Sequence, residues 1–332
     1  MNYSFVDEDL DLLDFDSKKS LGNFIRNSRS RKVTIVCGAG VSVSAGLPSW
    51  SDYLKKIVSI FLYTWKDLEE TNPKYLKTVP RGMSISMLDE HYRVKYPNFI
   101  IPPDFLKEDP LFIAQLIKNC IAPLNWKYLL KKALYRDGAP LNFESSLLDC
   151  ICNMTINHSQ ISGIMTYNYD DLLEIAFKNK NFSTSSIIEE NYFKYHKTFP
   201  IYHLHGILTS QVGRMPESKI YLSEEDFLTD IVQPNSWYNQ IHASKLTGTC
   251  CLFIGLSFND PSLKRKLAIH RLNPGDFHYA LLTHGDTEFE KRKFLLLRNE
   301  LLRLNVRVIK YSYDKSHSRL IELIQKMDKY MD

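Results

Sequence analysis

The chain has 332 residues, 44% of them hydrophobic and 12% aromatic, enough for one large α/β domain or two smaller ones with a sizeable core. Its 42 basic and 38 acidic residues leave a net charge of +4, a balance that calls for neither a nucleic-acid nor a membrane partner. No run approaches the ~18 apolar residues that span a bilayer, and the acidic N-terminus MNYSFVDEDLDLLDFD lacks the basic and apolar regions of a signal peptide.

Residues 1–16 read as an acidic arm with interleaved Leu and Phe, and 17–30 as a short helix with Leu21, Phe24 and Ile25 on one face. Val33–Cys37 is a short β-branched run and predicts a buried strand. Gly38-Ala39-Gly40 follows at once, then small and hydroxyl residues through Gly46, then Leu47-Pro48-Ser49-Trp50. A strand, a glycine turn and a helix start make a cradle for a pyrophosphate, because free N–H groups and the helix dipole both favour an anion. Two glycines also let a ligand approach without meeting a Cβ. The third glycine of the dinucleotide fingerprint would fall at 43, which is Val43, and no Gly-Lys-Ser/Thr of a P-loop follows.

Trp50 to about Leu62 predicts an amphipathic helix. Residues 63–160 hold no convincing strand and read as a helical insertion, with windows near 110–121, 126–136 and 143–156. Arg136–Pro140 is a turn, and Asn142 is placed to cap the helix after it. Strands are expected at Ile161–Tyr167, Ser183–Ile188, Pro200–Leu204 and Lys219–Leu222. Ser223 with Asp226 marks the start of a further helix, and 235–247 reads as the next. Thr249–Ser257 is the most apolar strand, and Asp260-Pro261 opens the helix after it. Phe277–Thr283 and Asn305–Tyr311 are the last strands, with helices around 287–304 and 316–330. Strands alternating with helices predict an α/β fold, a Rossmann-like parallel sheet with helices on both faces.

Three segments beyond the glycine turn carry chemistry. Thr166-Tyr167-Asn168-Tyr169-Asp170 follows a strand, where α/β sheets bind ligands. Asn168 or Asp170 there is either a helix N-cap or a polar ligand contact. His203-Leu204-His205-Gly206 ends another strand, and alternation puts both histidines on one face. They read as a zinc pair lacking sequence neighbours to complete it, as structural histidines, or, for His205, as an acid–base group. Gly255-Leu256-Ser257 either ends a central strand or contacts a ligand. The six cysteines, Cys37, Cys120, Cys150, Cys152, Cys250 and Cys251, sit mostly in apolar runs, as reduced cysteines of a cytoplasmic protein do.

Gly38-Ala39-Gly40-Val41-Ser42 and Ala45-Gly46-Leu47-Pro48-Ser49-Trp50 together resemble the opening NAD-binding motif of the sirtuin superfamily. The Thr-x-Asn-x-Asp segment and the His-Gly pair are similar to that superfamily's next two motifs, and Gly255-Leu256-Ser257 resembles its Gly-Thr-Ser loop. The resemblance implies that Gly38, Ala39, Gly40, Ser42, Pro48, Trp50, Gly255 and Ser257 bind the dinucleotide. It implies that Asn168 holds the nicotinamide ribose and a water, that Asp170 contacts the carboxamide, and that His205 is the catalytic base. No cysteine lies between Gly206 and Thr249, where sirtuin deacylases carry a four-cysteine zinc module, and Ser51 replaces the arginine of their aromatic-Arg element. Asn259-Asp260-Pro261 is similar to a bacterial subgroup. The combination resembles the zinc-less bacterial sirtuin-like proteins of antiphage defence, which consume NAD.

That resemblance implies a domain over 31–330 behind an arm and helix at 1–30. It implies hydrolysis of NAD, as substrate, to nicotinamide and ADP-ribose, in an effector of abortive infection. An NADase active without restraint would kill its host, so gating by self-assembly or by a separately encoded partner such as an ATPase is expected. The arm and the helix Glu288–Leu304 are the candidate contact surfaces, the alternative for the helix being that its apolar face packs on the sheet. A protein deacylase or ADP-ribosyltransferase would need a peptide groove, and a non-catalytic NAD or ADP-ribose sensor would have no use for both Asn168 and His205.

Overall fold

The computed structural model describes residues 13–71, 108–121, 123–135, 146–188, 198–210, 219–233, 235–273, 275–314 and 317–331. These hold seven strands: β1 (Val33–Cys37), β2 (Ile161–Thr166), β3 (Thr184–Ile187), β4 (Phe199–His203), β5 (Cys250–Ile254), β6 (His278–Leu282) and β7 (Val306–Lys310). They form one sheet in the order β3-β4-β2-β1-β5-β6-β7, and every neighbouring pair is parallel. The chain builds one half outward from β1 and then returns to place β5 on the other side of β1. The strand order therefore reverses at β1, and a crevice opens beyond the carboxyl ends of β1, β2 and β5.

The first helices are α1 (Phe15–Ser30), α2 (Ala39–Val43), α3 (Trp50–Thr71), α4 (Pro110–Cys120), α5 (Pro123–Leu134) and α6 (Ser146–Asn157). The later ones are α7 (Leu172–Asn179), α8 (Glu224–Val232), α9 (Trp237–Gly248), α10 (Pro261–Ile269), α11 (Glu288–Arg303) and α12 (Ser318–Tyr330). Strand alternation sorts the core into two layers. Val33, Ile35, Leu252, Ile254 and Tyr279 face α1, α6 and α12, with Leu21, Phe24, Ile151 and Ile324 packed over them. Val36, Met165, Phe253 and Ala280 face α9, α10 and α11 through Tyr238, Ile241, Leu263, Phe294 and Leu301. Both faces are covered, as the alternation of elements predicts. Phe253 is fully enclosed, and truncating such a side chain to Ala costs about 3–5 kcal/mol.

Local rules account for the boundaries. Asp14 caps α1 through Ser17 N–H at 2.8 Å, and α1 lies along the sheet edge, where Ser17 Oγ accepts from Lys310 N of β7. Asp260 caps α10 with Pro261 behind it. Thr287 and Glu290 make a reciprocal capping box on α11. Asp226 supplies the carboxylate half of such a box, accepting from Ser223 N and Oγ at 3.0 and 2.6 Å.

Two expectations change. Helix α3 runs to Thr71 rather than Leu62, because Trp65–Thr71 contains no breaker and the first proline comes at Pro73. The expected strand Lys219–Leu222 is irregular chain: Tyr221 N bonds the His205 carbonyl at 3.1 Å, and no ladder forms. Residues 1–12 of the arm, the Arg136–Pro140 turn and the Asn142 cap lie outside the described residues, as do 72–107 of the expected insertion. No helix among the described residues is long and apolar enough to cross a membrane.

Candidate functional site

A cleft of about 360 Å³ of empty space lies at the carboxyl edge of the sheet. Ala39, Ser42, Pro48, Trp50, Asn168 and Asp170 line it, with Tyr53, Leu134, Tyr167 and Tyr169. The glycine turn after β1 and the polar segment after β2 thus meet, as neighbouring parallel strands require. Trp50 stacks on Tyr169 at 6.4 Å between ring centres, and Tyr169 Oη donates to the Tyr221 carbonyl at 2.7 Å.

The turn is tighter than a ligand cradle alone requires. A Cβ on Gly38 would come within 2.6 Å of the Gly255 carbonyl and the Leu256 side chain, so the missing side chain admits the exit of β5. Gly38 N donates to Ile254 O and Gly40 N to Gly255 O, each at 3.0 Å, and Val41 N to Gly38 O. Those three N–H groups, expected to be free for a phosphate, are taken up inside the protein. Gly255 and Ser257 do not line the cleft: Gly255 (φ +69°) packs behind the turn, and Ser257 is exposed on the loop beyond it.

Asn168 is buried at the cleft floor. Its Nδ2 donates to Gly38 O at 3.0 Å and to Ser42 Oγ at 2.9 Å. A carbonyl only accepts, so the amide must present its nitrogen to the turn and turn Oδ1 away from it. The Ser42 hydroxyl favours charge on the Asp170 carboxyl. Burial raises the Asp170 pKa to about 6, against the Ser42 hydroxyl and the bond from Leu172 N–H that favour its charge. Asp170 thus does both things its position allows, holding the first turn of α7 and facing the cleft. Asp171, the residue before α7, makes no side-chain cap.

The two histidines part company. His203 Nε2 lies 2.6 Å from Glu174 Oε1, which also accepts from Ser186 Oγ. Burial works against charge on His203, but the Glu174 carboxylate outweighs it and raises the pKa. This is a buried ion pair between β4 and α7. His205 is enclosed by Tyr167, Tyr169, Phe227 and Tyr238, and its buried Nε2 has no protein partner. Burial lowers its pKa to about 4, against the nearby Asp260 charge, so the ring is neutral at pH 7. His205 is not among the residues lining the cleft and sits behind Tyr167 and Tyr169, which are. Gly206 (φ +86°) is the residue that fits after it, since a Cβ there would lie 2.2 Å from Lys219 O.

Sequence reasoning missed the aromatic lining and its supports. Tyr167 Oη is 2.7 Å from His242 Nε2, and His242 Nδ1 is 2.7 Å from Tyr238 O. The carbonyl fixes the tautomer: Nδ1 carries the proton and Nε2 accepts from the tyrosine. Burial holds His242 neutral, lowering its pKa to about 3. The repeated Tyr in Tyr167-Asn168-Tyr169 was the available signal. All six cysteines are buried and free, and no group of three or more His, Cys, Asp or Glu that would hold a metal exists among the described residues.

Residues 162–309 match the family model described as SIR2-like domain. The matched stretch runs from the second residue of β2 to the last but one of β7 and takes in Asn168, Asp170, His205, Gly255 and Ser257, while the glycine turn lies upstream of it. No curated protein matches the chain. The match supports a sirtuin-like family and is consistent with NAD-related activity.

Proposed function

We propose that the protein is a sirtuin-like NAD hydrolase that releases nicotinamide and ADP-ribose. The observation that carries this reading is the pair of bonds from Asn168 Nδ2 to Gly38 O and Ser42 Oγ, which ties the glycine turn to the polar segment at the cleft that Asp170 also lines. In this reading the pyrophosphate lies beside Ala39 and Ser42, which line the cleft, the adenosine half reaches the exposed Ser257, and Gly255 backs the turn from behind. Pro48 and Trp50 wall the cleft. Asn168 Oδ1 accepts from a ribose hydroxyl or a water, and Asp170 faces the carboxamide. His205 is a neutral acceptor for a ribose proton once Tyr167 and Tyr169 give access. As the C–N bond breaks, nicotinamide leaves with the electron pair. Water then adds to the oxocarbenium-like carbon and loses a proton. The chemistry needs no zinc, and elemental analysis finding about one zinc per chain would count against it.

The test is incubation of the full chain with NAD, with and without an acylated peptide. Nicotinamide and ADP-ribose without peptide support the reading. Turnover only with peptide makes the protein a deacylase, and binding without turnover makes it a sensor.

The role we attach to this activity is NAD depletion in abortive infection against phage, inside the cytoplasm, with the enzyme gated by assembly. Support for assembly is the outer face of α11. Phe294 and Leu301 of that helix pack on the sheet, but Phe289 and Leu296, on one stripe, are 75% and 71% exposed, and Leu295 and Leu302 are exposed on a second stripe about 100° round the helix. Four large apolar side chains exposed on one helix, among charged neighbours, support an interaction surface with a polar rim. A second copy of the chain is the occupant we propose, with a separately encoded partner such as an ATPase as the alternative.

A further inference from the structure

Asp171 is absent from the chemistry above, yet it joins three segments of the chain. Its Oδ1 lies 3.0 Å from Tyr135 Oη, the residue that closes α5. Its Oδ2 accepts from Ser210 N at 3.0 Å and from Ser210 Oγ at 3.2 Å. Its own N–H donates to Tyr135 Oη at 3.2 Å. Tyr135 Oη also reaches the Leu208 carbonyl at 2.7 Å, so one phenolic proton is shared between two acceptors. Leu208 N donates to Tyr169 O at 2.6 Å. Burial, with the Asp170 and Asp171 carboxyls beside it, pushes the Tyr135 phenol well up, so it stays a donor. Leu134, one residue earlier, lines the cleft.

We propose that Asp171 and Tyr135 form a clamp that positions the Asn168–Asp170 segment against the His205–Ser210 loop. Asn168 and Asp170 lie just before Asp171, and His205 lies just before the Leu208–Ser210 stretch that the clamp grips. Both arms of the site are therefore referenced to one carboxylate and one phenol, and through Tyr135 to helix α5. Neither clamp residue touches the glycine turn that holds the dinucleotide, so the clamp governs alignment rather than binding. Displacement of a reacting group by about 1 Å costs on the order of a hundredfold in rate, which is the leverage such a clamp has.

The activity side of this inference rests on the NAD reading, so its test has a second arm that does not. Tyr135→Phe, Asp171→Asn and Asp171→Ala are compared with the full wild-type chain, with circular dichroism to establish folding. Hydrogen exchange followed by mass spectrometry is expected to rise over 206–210 in Tyr135→Phe and Asp171→Ala. It should rise least in Asp171→Asn, which keeps an acceptor for Ser210. In turnover, kcat falls about tenfold or more in Tyr135→Phe while KM for NAD stays within about twofold, and Asp171→Asn recovers part of what Asp171→Ala loses. Unchanged exchange over 206–210 in folded Tyr135→Phe overturns the clamp. So does a rise in KM with kcat preserved, which would mark a binding contact. Wild-type chain without NAD turnover counts against the NAD reading alone, and exchange then decides the clamp.

Discussion

Asn168 reaches back across 130 positions of sequence to place its Nδ2 3.0 Å from the Gly38 carbonyl. The contact joins the exit of β2 to the exit of β1 and fixes which way the amide faces.

That orientation yields the first prediction. Asn168→Asp keeps the size but turns an acceptor toward the Gly38 carbonyl, losing the donor that Gly38 and Ser42 Oγ both use. An unsatisfied buried polar group costs about 1–3 kcal/mol. Asn168→Asp is expected to unfold at lower temperature than wild type by calorimetry, and Asn168→Ala less so. Both should lose nicotinamide release. An Asn168→Asp chain as stable as wild type would show that the amide bonds do not hold the turn.

Asp170 makes stability depend on pH. Its pKa is near 3.8 in the unfolded chain and about 6 when folded. Between those values the native state holds more protons than the unfolded one, so stability falls as pH rises from about 4 through 6. The loss is on the order of 3 kcal/mol for this group alone. Asp170→Asn removes that slope, with Oδ1 still able to accept from Leu172 N–H. Denaturant titrations should find the variant more stable than wild type at pH 8 and level with it near pH 4, with poorer turnover. A variant less stable than wild type at pH 8 would contradict the burial argument.

Much of this frame is legible in the chain. The β-branched run Val33–Cys37, the Asp260-Pro261 start and the Thr287/Glu290 box are local signals, and local rules set those elements. The meeting of Gly38, Ser42, Asn168 and Asp170 follows from parallel strands sharing a carboxyl edge. What stayed hidden depends on distant partners. Gly38 reads as room for a ligand, but the exit of β5 fills that room. Asp171 reads as the second of two acids before a helix, and its partners Tyr135 and Ser210 are 36 and 39 positions away. Lys219–Leu222 has strand composition but meets no strand edge. The His-Gly pattern marks His205, but the rings of Tyr167 and Tyr169 that pack against it and line the cleft in its place come from a different strand end.

The exposed apolar side chains of α11 predict association. Full-length chain is expected to sediment as an oligomer, and Leu296→Glu or Phe289→Glu to reduce its mass while leaving the far-ultraviolet spectrum unchanged. Both side chains point away from the core, so the substitutions cost little folding energy. A wild-type chain that stays monomeric at high concentration and turns over NAD at full rate would defeat assembly as the gate.

His203 and His205 give the sharpest contrast. Removing His203 leaves the Glu174 carboxyl facing a cavity, and breaking a buried ion pair costs about 3–5 kcal/mol. The pair's contribution has two limits. It is lost as pH rises through the raised His203 pKa, and lost again as pH falls through the lowered Glu174 pKa. His203→Ala should therefore unfold more easily, most visibly between those limits, while a folded sample retains much of its kcat. His205 is different. Its Nε2 has no partner to lose, so His205→Ala gives up ring packing and keeps the fold. Loss of a general base costs about 10²–10⁴ in rate. NAD turnover and thermal unfolding, measured together for both variants, should show opposite patterns: stability loss with activity for His203→Ala, activity loss with a retained fold for His205→Ala. A folded His205→Ala that releases nicotinamide at the wild-type rate would remove His205 from the mechanism, and the tyrosine-lined cleft would then have to supply the proton acceptor.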